Sequence, residues 1–561
     1  MKRFIGSAAV LGAALVASMI PGANATPAAT QENVRFITNV PGSTGGHVVA
    51  EGDRLYVGAY GLGLTAFDIS DRAAPVKIGE YKPALAGQIT AGDPGVRADT
   101  VPDTAVWNGR HIVSLGGTSR AASTTQTEFL DFTDPANPVL LHRFSGSTDG
   151  EAHNGDIVDS RKLWLPSGGS SGNMLRIYDM NPLLNTPAAA PTKLFSGNLN
   201  TMWNASRYKA AIGGGTNGSP THVHDLEVYT DYRMLLLEED WVDQNDDGIP
   251  DPTYDERDLA FVAASQGYPL TVGPGTVSQS AVVIVDITNP SAPEVVNKIQ
   301  MPGGQRYNHE VQLLASDPHI MFTADEDLHN GCDAGGVRSY RLSEGLTEAT
   351  LLDTWFIGTG TPAAVCSSHV FSTAGDYVFM GSYNAGLQVI DFRDPENLTR
   401  AGQYIAEGAN SWAALYYDGY VYMGDFGPRG LDVLQFIAEP ARQSILKVPN
   451  PTSDQFAGVS ETVGECNPDS PADSLDGMAV PIPAGSRGEG HTIYARGTDE
   501  TRAYDLDIWF YDSSCEFLAA GQFATAGDDE QGPIPANAAY AYIDLWVGRP
   551  QLVYAQIDPS V

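Results

Sequence analysis

Cysteine is scarce, with four in 561 residues. Cys332, Cys366, Cys466 and Cys515 form no C-x-x-C pair, which removes the usual framework of a thiolate zinc site. Positive charge is scarce too: 32 basic residues stand against 68 acidic ones, for a net charge of −36 and a pI near 4.4. Phosphate backbones and anionic membranes repel so acidic a chain, which argues against nucleic acid as a partner. Beyond the first 25 residues no apolar run approaches the 18 or so that a membrane-spanning helix needs, so no transmembrane segment is expected. Neither an H-E-x-x-H pair nor a Walker loop occurs. Gly168-Gly169-Ser170-Ser171-Gly172 matches a nucleophile elbow by letter, but its Gly/Ser-rich flanks lack the strand before and the helix after. What is present is 42% hydrophobic residues, 60 glycines and 36 prolines, a composition suited to many short strands joined by tight turns.

Lys2 and Arg3 precede an apolar stretch from Phe4 to Ile20, and Ala23-Asn24-Ala25 has the small-x-small form of a cleavage site. Residues 1–25 therefore read as a signal peptide, cleaved near Ala25 to leave a secreted, extracellular or periplasmic chain. Disulfides are the default in such a compartment. Three connectivities are open, of which Cys332 with Cys366 and Cys466 with Cys515 stay within the domains read below.

The clearest signal is repetition. His47-Val-Val-Ala-Glu-Gly-Asp-Arg-Leu-Tyr-Val-Gly58, then Gly63-Leu-Thr-Ala-Phe-Asp-Ile-Ser-Asp71 and Pro75, recurs as His369 to Gly381, then Gly386-Leu-Gln-Val-Ile-Asp-Phe-Arg-Asp394 and Pro395. Each copy reads as strand, turn, strand, loop, strand, and an Asp/Asn-Pro turn into a fourth strand. Weaker copies surround Val113 with Asp131, Leu163–Leu165 with Asp179, Met234–Leu237 with Asp286, Ile320–Phe322 with Arg341, and Val421–Met423 with Leu434. Seven four-stranded units cannot bury their faces alone. Arranged radially they give an all-β fold, a seven-bladed β-propeller, over residues 26–438. The stretch Asn33 to Thr38 is placed to supply the outer strand of the last unit. Residues 439–454, with Pro440, Pro449 and Pro451, read as a linker. Residues 455–561 read as a small β-sandwich accessory domain.

Residues 33–438 resemble the LVIVD-repeat family of exported bacterial propellers, through Ala281-Val-Val-Ile-Val-Asp286 and the Gly-Leu-x-x-x-Asp-[Ile/Phe]-[Ser/Thr]-[Asp/Asn]-x-x-x-Pro phrase. The resemblance implies a fold rather than a reaction. The C-terminal segment, through Asp505-Leu-Asp-Ile-Trp-Phe-Tyr-Asp512, looks similar to pre-peptidase-type sandwich modules.

Aligned on their second strands, the units place His47, His153, His224, His309 and His369 near the start of the first strand. Asp103 holds that place in the second unit and Ala413 in the seventh. First strands line a propeller's channel, so these side chains would converge as a metal site suited to Cu or Zn. Glu239 and Asp325, at matching positions after two second strands, are candidates to orient His224 and His309. Separately, Asp243, Asn245, Asp247, the Ile249 carbonyl and Asp251 follow the spacing of a calcium loop, with Gly248 at its turn and Tyr254 where the bidentate glutamate normally stands. The leading reading is an exported, calcium-stiffened propeller scaffold whose loops bind a macromolecular or cell-surface partner. The alternative is a metal-dependent enzyme, an oxidoreductase or hydrolase, built on the histidine ring.

Overall fold

The computed structural model describes residues 28–41, 45–59, 63–82, 98–119, 124–145, 152–167, 174–186, 189–212, 220, 222–243, 249–265, 280–301, 307–314, 317–327, 335–358, 367–425 and 429–437. Beyond these it describes 443–448, 475–482, 492–497, 505–512, 517–520, 530–547 and 553–558. The signal-peptide stretch and all four cysteines lie outside the described residues.

The period-2 patterns form antiparallel sheets in chain order. Sheet 1 takes Gly45–Glu51, Arg54–Ala59, Gly63–Asp68 and Val76–Tyr81, and sheet 2 takes Ala98–Trp107, Arg110–Ser119, Thr124–Asp131 and Val139–Ser145. Sheet 3 runs from Asn154–Val158 to Thr192–Asn198, and sheet 4 from His222–Leu235 to Glu294–Gln300. Sheet 5 runs from Asn308–Leu314 to Ala349–Trp355, and sheet 6 from Phe371–Ala374 to Thr399–Ala406. Sheet 7 holds Ser411–Tyr417, Tyr420–Asp425 and Leu431–Phe436. Its fourth, outer strand is Val34–Val40, paired with Leu431–Phe436. An unforeseen strand, Ala28–Glu32, adds a fifth member to sheet 6 by pairing with Thr399–Ala406.

Each neighbouring pair of sheets buries its own apolar cluster. Leu64, Val113 and Phe132 join sheets 1 and 2, for example, Leu314, Phe322 and Met380 join sheets 5 and 6, and Val48, Trp412 and Val433 join sheet 7 back to sheet 1. The sheets therefore close into a ring, a β-propeller with the first strand of each sheet innermost.

The repeat phrase has a hydrogen-bond explanation. The aspartate ending the third strand accepts the amide two residues on, in Asp68 to Ser70, Asp131 to Thr133, Asp179 to Asn181, Asp286 to Thr288 and Asp391 to Arg393, all at 2.8–2.9 Å. The next Asp or Asn repeats the device, with Asp71, Asp134, Asn289 and Asp394 accepting at 3.1–3.2 Å. Two successive Asx turns reverse the chain into the fourth strand.

Two expectations change. Met234–Leu237 does not form a second strand. Sheet 4 instead opens with a 14-residue first strand, His222–Leu235, and its second is Tyr254–Ser265. Gln443–Val448, inside the stretch read as a linker, is a strand paired with Val553–Asp558, because an alternating apolar run lies between the prolines. The remaining C-terminal strands complete two four-stranded sheets.

Candidate metal centre in the propeller channel

The inner strand of each sheet is an edge, and its outward N–H groups need acceptors. The neighbouring sheet's side chains supply them. Asp103 accepts the Ile157 amide at 2.6 Å, Asp156 that of Val228 at 2.7 Å, Tyr229 that of Leu313 at 2.7 Å, Glu310 that of Phe371 at 3.1 Å and Ser372 that of Tyr416 at 2.7 Å. Glycines allow the approach: a Cβ at Gly116 would lie 2.3 Å from the His153 carbonyl oxygen, and one at Gly381 2.6 Å from that of Trp412.

This ladder corrects the placement of Asp103. Ile157 and Val228 each stand four residues after a tier histidine, His153 and His224. Asp103 is thus the counterpart of Asp156, three residues beyond the histidine position. It belongs to a lower, acidic tier with Asp156, Asp225, Glu227 and Glu310. Burial and mutual repulsion raise all five, Asp103 to about 8 and Asp156 and Asp225 to about 7.

The histidines do converge. Ring centroids stand 5.4 Å apart for His153 and His224, 3.9 Å for His224 and His309, and 4.1 Å for His309 and His369. In sheet 7 the tier is completed by Trp412, 4.6 Å from His369, rather than by Ala413. His222 and Tyr307, which the repeat alignment passed over, flank His224 at 6.4 and 5.2 Å. Burial lowers His47 to about 4, His222 to about 4 and His369 to about 3, and pushes His224 and His309 well below the usual range with help from neighbouring imidazoles. These five imidazoles are therefore neutral at pH 7, the state in which imidazole binds metal.

Tautomers follow from the partners. The His224 Nδ1 donates to the His309 carbonyl at 2.7 Å and the His369 Nδ1 to that of Trp412 at 2.9 Å, so each Nε2 keeps its lone pair. The buried Nδ1 atoms of His47 and His309 have no hydrogen-bond partner. Glu326, 6% exposed, joins them: its Oε1 lies 3.8 Å from the His369 Nε2 and accepts the Tyr383 hydroxyl. One ligand atom each from His309, Glu326 and His369 fall within 4.8 Å of one another, all three residues buried. Two imidazoles and a carboxylate around so small a space suit a divalent transition ion with coordination positions left open. Tyr383 is held for this contact at a left-handed φ of 49°, its backbone bridged to Ser411 on sheet 7.

Glu326 was the residue sequence reasoning missed. The repeat alignment points to Asp325, one position earlier in the acidic run Asp325-Glu326-Asp327. That residue ends its strand opposite Asn308 and turns away, accepting the Tyr307 amide at 2.7 Å beside Arg338 at 3.8 Å. Strand alternation sends the next side chain the other way. Glu239 does not orient His224. The long first strand carries the chain 11 residues from His224 to Leu235 at about 3.3 Å each, leaving Glu239 exposed at the far end beside Arg207.

In the expected calcium loop, Asn245 and Asp247 lie outside the described residues. Asp243, Ile249 and Asp251 are described, and the Val242–Asp251 bridge, with the Asp251 amide 2.9 Å from the Val242 carbonyl, pins the loop ends together.

The LVIVD repeat model matches residues 42–82, 277–300 and 371–406. No curated protein matches the chain. Among solved structures, the chain is similar to the β-propeller domain of Myceliophteria thermophila Cps50 (Swd1), at 10% identity and a TM-score of 0.42, over 72% of this chain and 99% of that one. It is also similar to BamB from Moraxella catarrhalis, at 10% identity and a TM-score of 0.36, over 72% and 98%. The computationally designed Ika8 protein matches at 12% identity and a TM-score of 0.35, over 72% and 99%.

Proposed function

We propose that this LVIVD-repeat β-propeller is an exported metalloprotein that holds one divalent transition ion, copper or zinc, in its channel through His309, Glu326 and His369. The observation that carries this reading is the buried convergence of those three ligand atoms within 4.8 Å, beside imidazoles that burial keeps neutral. His47, His153 and His224 line the same tier and offer further nitrogen donors. A bound ion would act as a Lewis acid or, if copper, as a redox centre. The chain's own contribution is to fix the His224 and His369 tautomers, tie Glu326 to Tyr383 and dry the site with Trp412 and Tyr307. This favours the enzyme alternative over a scaffold that only binds partners, since the partner reading is supported by architecture alone.

Metal analysis of full-length protein purified without an affinity tag tests the reading. One equivalent of transition metal, lost in a His309→Ala/His369→Ala variant that keeps its β-sheet circular dichroism, is expected. A metal-free wild type that also fails to take up Zn2+ or Cu2+ overturns it. The Asp243–Asp251 loop is a separate proposal for structural Ca2+, supported by its spacing and pinned ends. An unchanged melting temperature in chelator would remove it.

Export is supported by the Lys2/Arg3 start, the apolar stretch and the Ala23–Ala25 site. No helix among the described residues is long and apolar enough to cross a membrane.

A further inference from the structure

Two of the three proposed ligands hang from strand ends. Glu326 lies one residue past Asp317–Asp325, the second strand of sheet 5, and His369 two residues before Phe371–Ala374, the first strand of sheet 6. Each keeps a backbone bond near its own sheet, the Glu326 amide to the Tyr307 carbonyl at 3.0 Å and the His369 amide to that of Gly381 at 3.1 Å. Those bonds do not set the separation of a carboxylate on one sheet from an imidazole on the next. An ion-binding geometry needs that separation held to within about 0.5 Å.

Ser367 and Ser368, both fully buried and directly before His369, bridge the two sheets at this level. The Ser368 Oγ accepts the Asp325 amide at 3.0 Å and the Ser367 Oγ accepts the Asp327 amide at 2.8 Å. The residues on either side of Glu326 are thus gripped by the two that precede His369. Each hydroxyl also has one proton to give. That of Ser368 lies 2.8 Å from the Gly335 carbonyl oxygen and that of Ser367 3.2 Å from the Asp325 carbonyl oxygen, while the Ser368 amide donates to Gly335 at 2.9 Å. Gly335, at a left-handed φ of 67°, makes the room, since a Cβ there would lie 2.6 Å from the Ser367 Oγ. Elsewhere in the channel one side chain caps one amide of the next sheet, as Asp103 does for Ile157. Here two adjacent hydroxyls bracket one residue, and that residue carries the metal-site carboxylate. The fold retains alternatives without them: the Asp325 amide has a second acceptor in the Gly336 carbonyl and the Asp327 amide one in the Asp325 carbonyl, both at 3.1 Å. Losing the hydroxyls therefore leaves neither amide orphaned.

We infer that Ser367 and Ser368 are positioning residues that hold Glu326 in reach of an ion shared with His309 and His369. The inference rests on the transition-metal reading of that site. Tyr383 fixes the carboxylate end of Glu326, and the serines fix the backbone from which it hangs. With the pair in place the carboxylate is presented before the ion arrives, so binding has less freedom to remove. Without it Glu326 swings away, and the ion keeps two imidazoles with solvent in place of the carboxylate. Outer partners of this kind are worth about 10- to 100-fold in metal affinity.

The test is a double-mutant cycle on Zn2+ affinity in the full-length chain, read by competition with a chromogenic chelator. Ser367→Ala/Ser368→Ala should bind Zn2+ about 10- to 100-fold more weakly than the wild type. In a Glu326→Ala background the same two substitutions should change the affinity by less than about twofold, because no carboxylate is left to position. Serines that only joined the sheets would lower affinity equally in both backgrounds. Equal Zn2+ affinity for the wild type and the serine variant, or the same loss with and without Glu326, overturns the inference and leaves the metal site standing. A wild type that takes up neither Zn2+ nor Cu2+ overturns the metal reading and this inference together. If the paired variant does not fold, Ser367→Ala alone, which keeps the Ser368 bonds, carries the same cycle.

Discussion

Ring closure by the N-terminal strand gives a quantitative test. Val34, 4% exposed, packs from the outer strand of sheet 7 against Phe379, Leu387 and Leu434, and the half-buried Phe36 stacks on Tyr404 at 5.9 Å and 12°. Truncating a buried valine to alanine costs about 2 kcal/mol, and a half-buried phenylalanine about 2 more, half the cost of a fully buried one. The two side chains touch a shared cluster, so the sum of about 4 kcal/mol carries a coupling of about 1 kcal/mol either way. Unfolding entropy of about 2.1 cal/mol/K per residue over roughly 400 residues gives about 0.8 kcal/mol/K. Val34→Ala/Phe36→Ala should therefore lower the melting temperature by about 5 °C, and deleting residues 26–40 by more. Val76→Ala, at a site 62% exposed on the outer strand of sheet 1, is the control and should stay within about 0.5 kcal/mol. Thermal melts followed by circular dichroism, with denaturant titration as a second probe, are the assay. A double variant that melts with the wild type would refute closure by this strand.

Tyr383→Phe removes the hydroxyl that Glu326 accepts while keeping the ring against His369, so it should weaken transition-metal affinity about 10- to 100-fold with little change in fold. Competition with a chromogenic chelator measures it, and equal affinities would remove Tyr383 from the centre. The pH dependence of metal-free protein has two opposing parts. The tier histidines titrate lower in the folded state than in the unfolded one, so they add stability as pH rises from about 4 to 6.5 and nothing more above that. The acidic tier titrates higher when folded. For Asp103, Asp156 and Asp225 that contribution is full below the unfolded value near 4 and is lost as pH rises through about 7 to 8. Between pH 6.5 and 8 the acids dominate, so the unfolding free energy from denaturant titration should fall by about 1–2 kcal/mol for each of Asp103, Asp156 and Asp225. A metal-free protein that gains stability over this interval would contradict it.

Much of the fold was legible because its devices are local. Two-residue alternation, the Asp and Asp/Asn that make successive Asx turns, and glycines at close approaches recur within each unit. The closing strand at Val34–Val40 was legible because a ring of such units needs one. The histidine tier could be read because its members sit at one repeat position, His47, His153, His224, His309 and His369. Errors arose where strand length departs from the repeat. The 14-residue strand from His222 displaced Glu239, and counting from second strands moved Asp103 into the wrong tier. Glu326 was hidden by a one-residue choice within an acidic run, which alternation settles only once the register of Asp325 against Asn308 is fixed.

The acidity of the chain takes on a more local meaning in this light. Asp68, Asp131, Asp179, Asp286 and Asp391 cap turns, Asp103 and Asp156 cap neighbouring strands, and Glu326 faces the histidines. The X-ray absorption spectrum of the zinc-loaded full-length protein tests the central claim most directly. Two imidazoles and one carboxylate oxygen at about 2.0–2.2 Å are expected, with imidazole scattering reduced in His369→Ala. A first shell of oxygen alone, or one unchanged by that substitution, would contradict it.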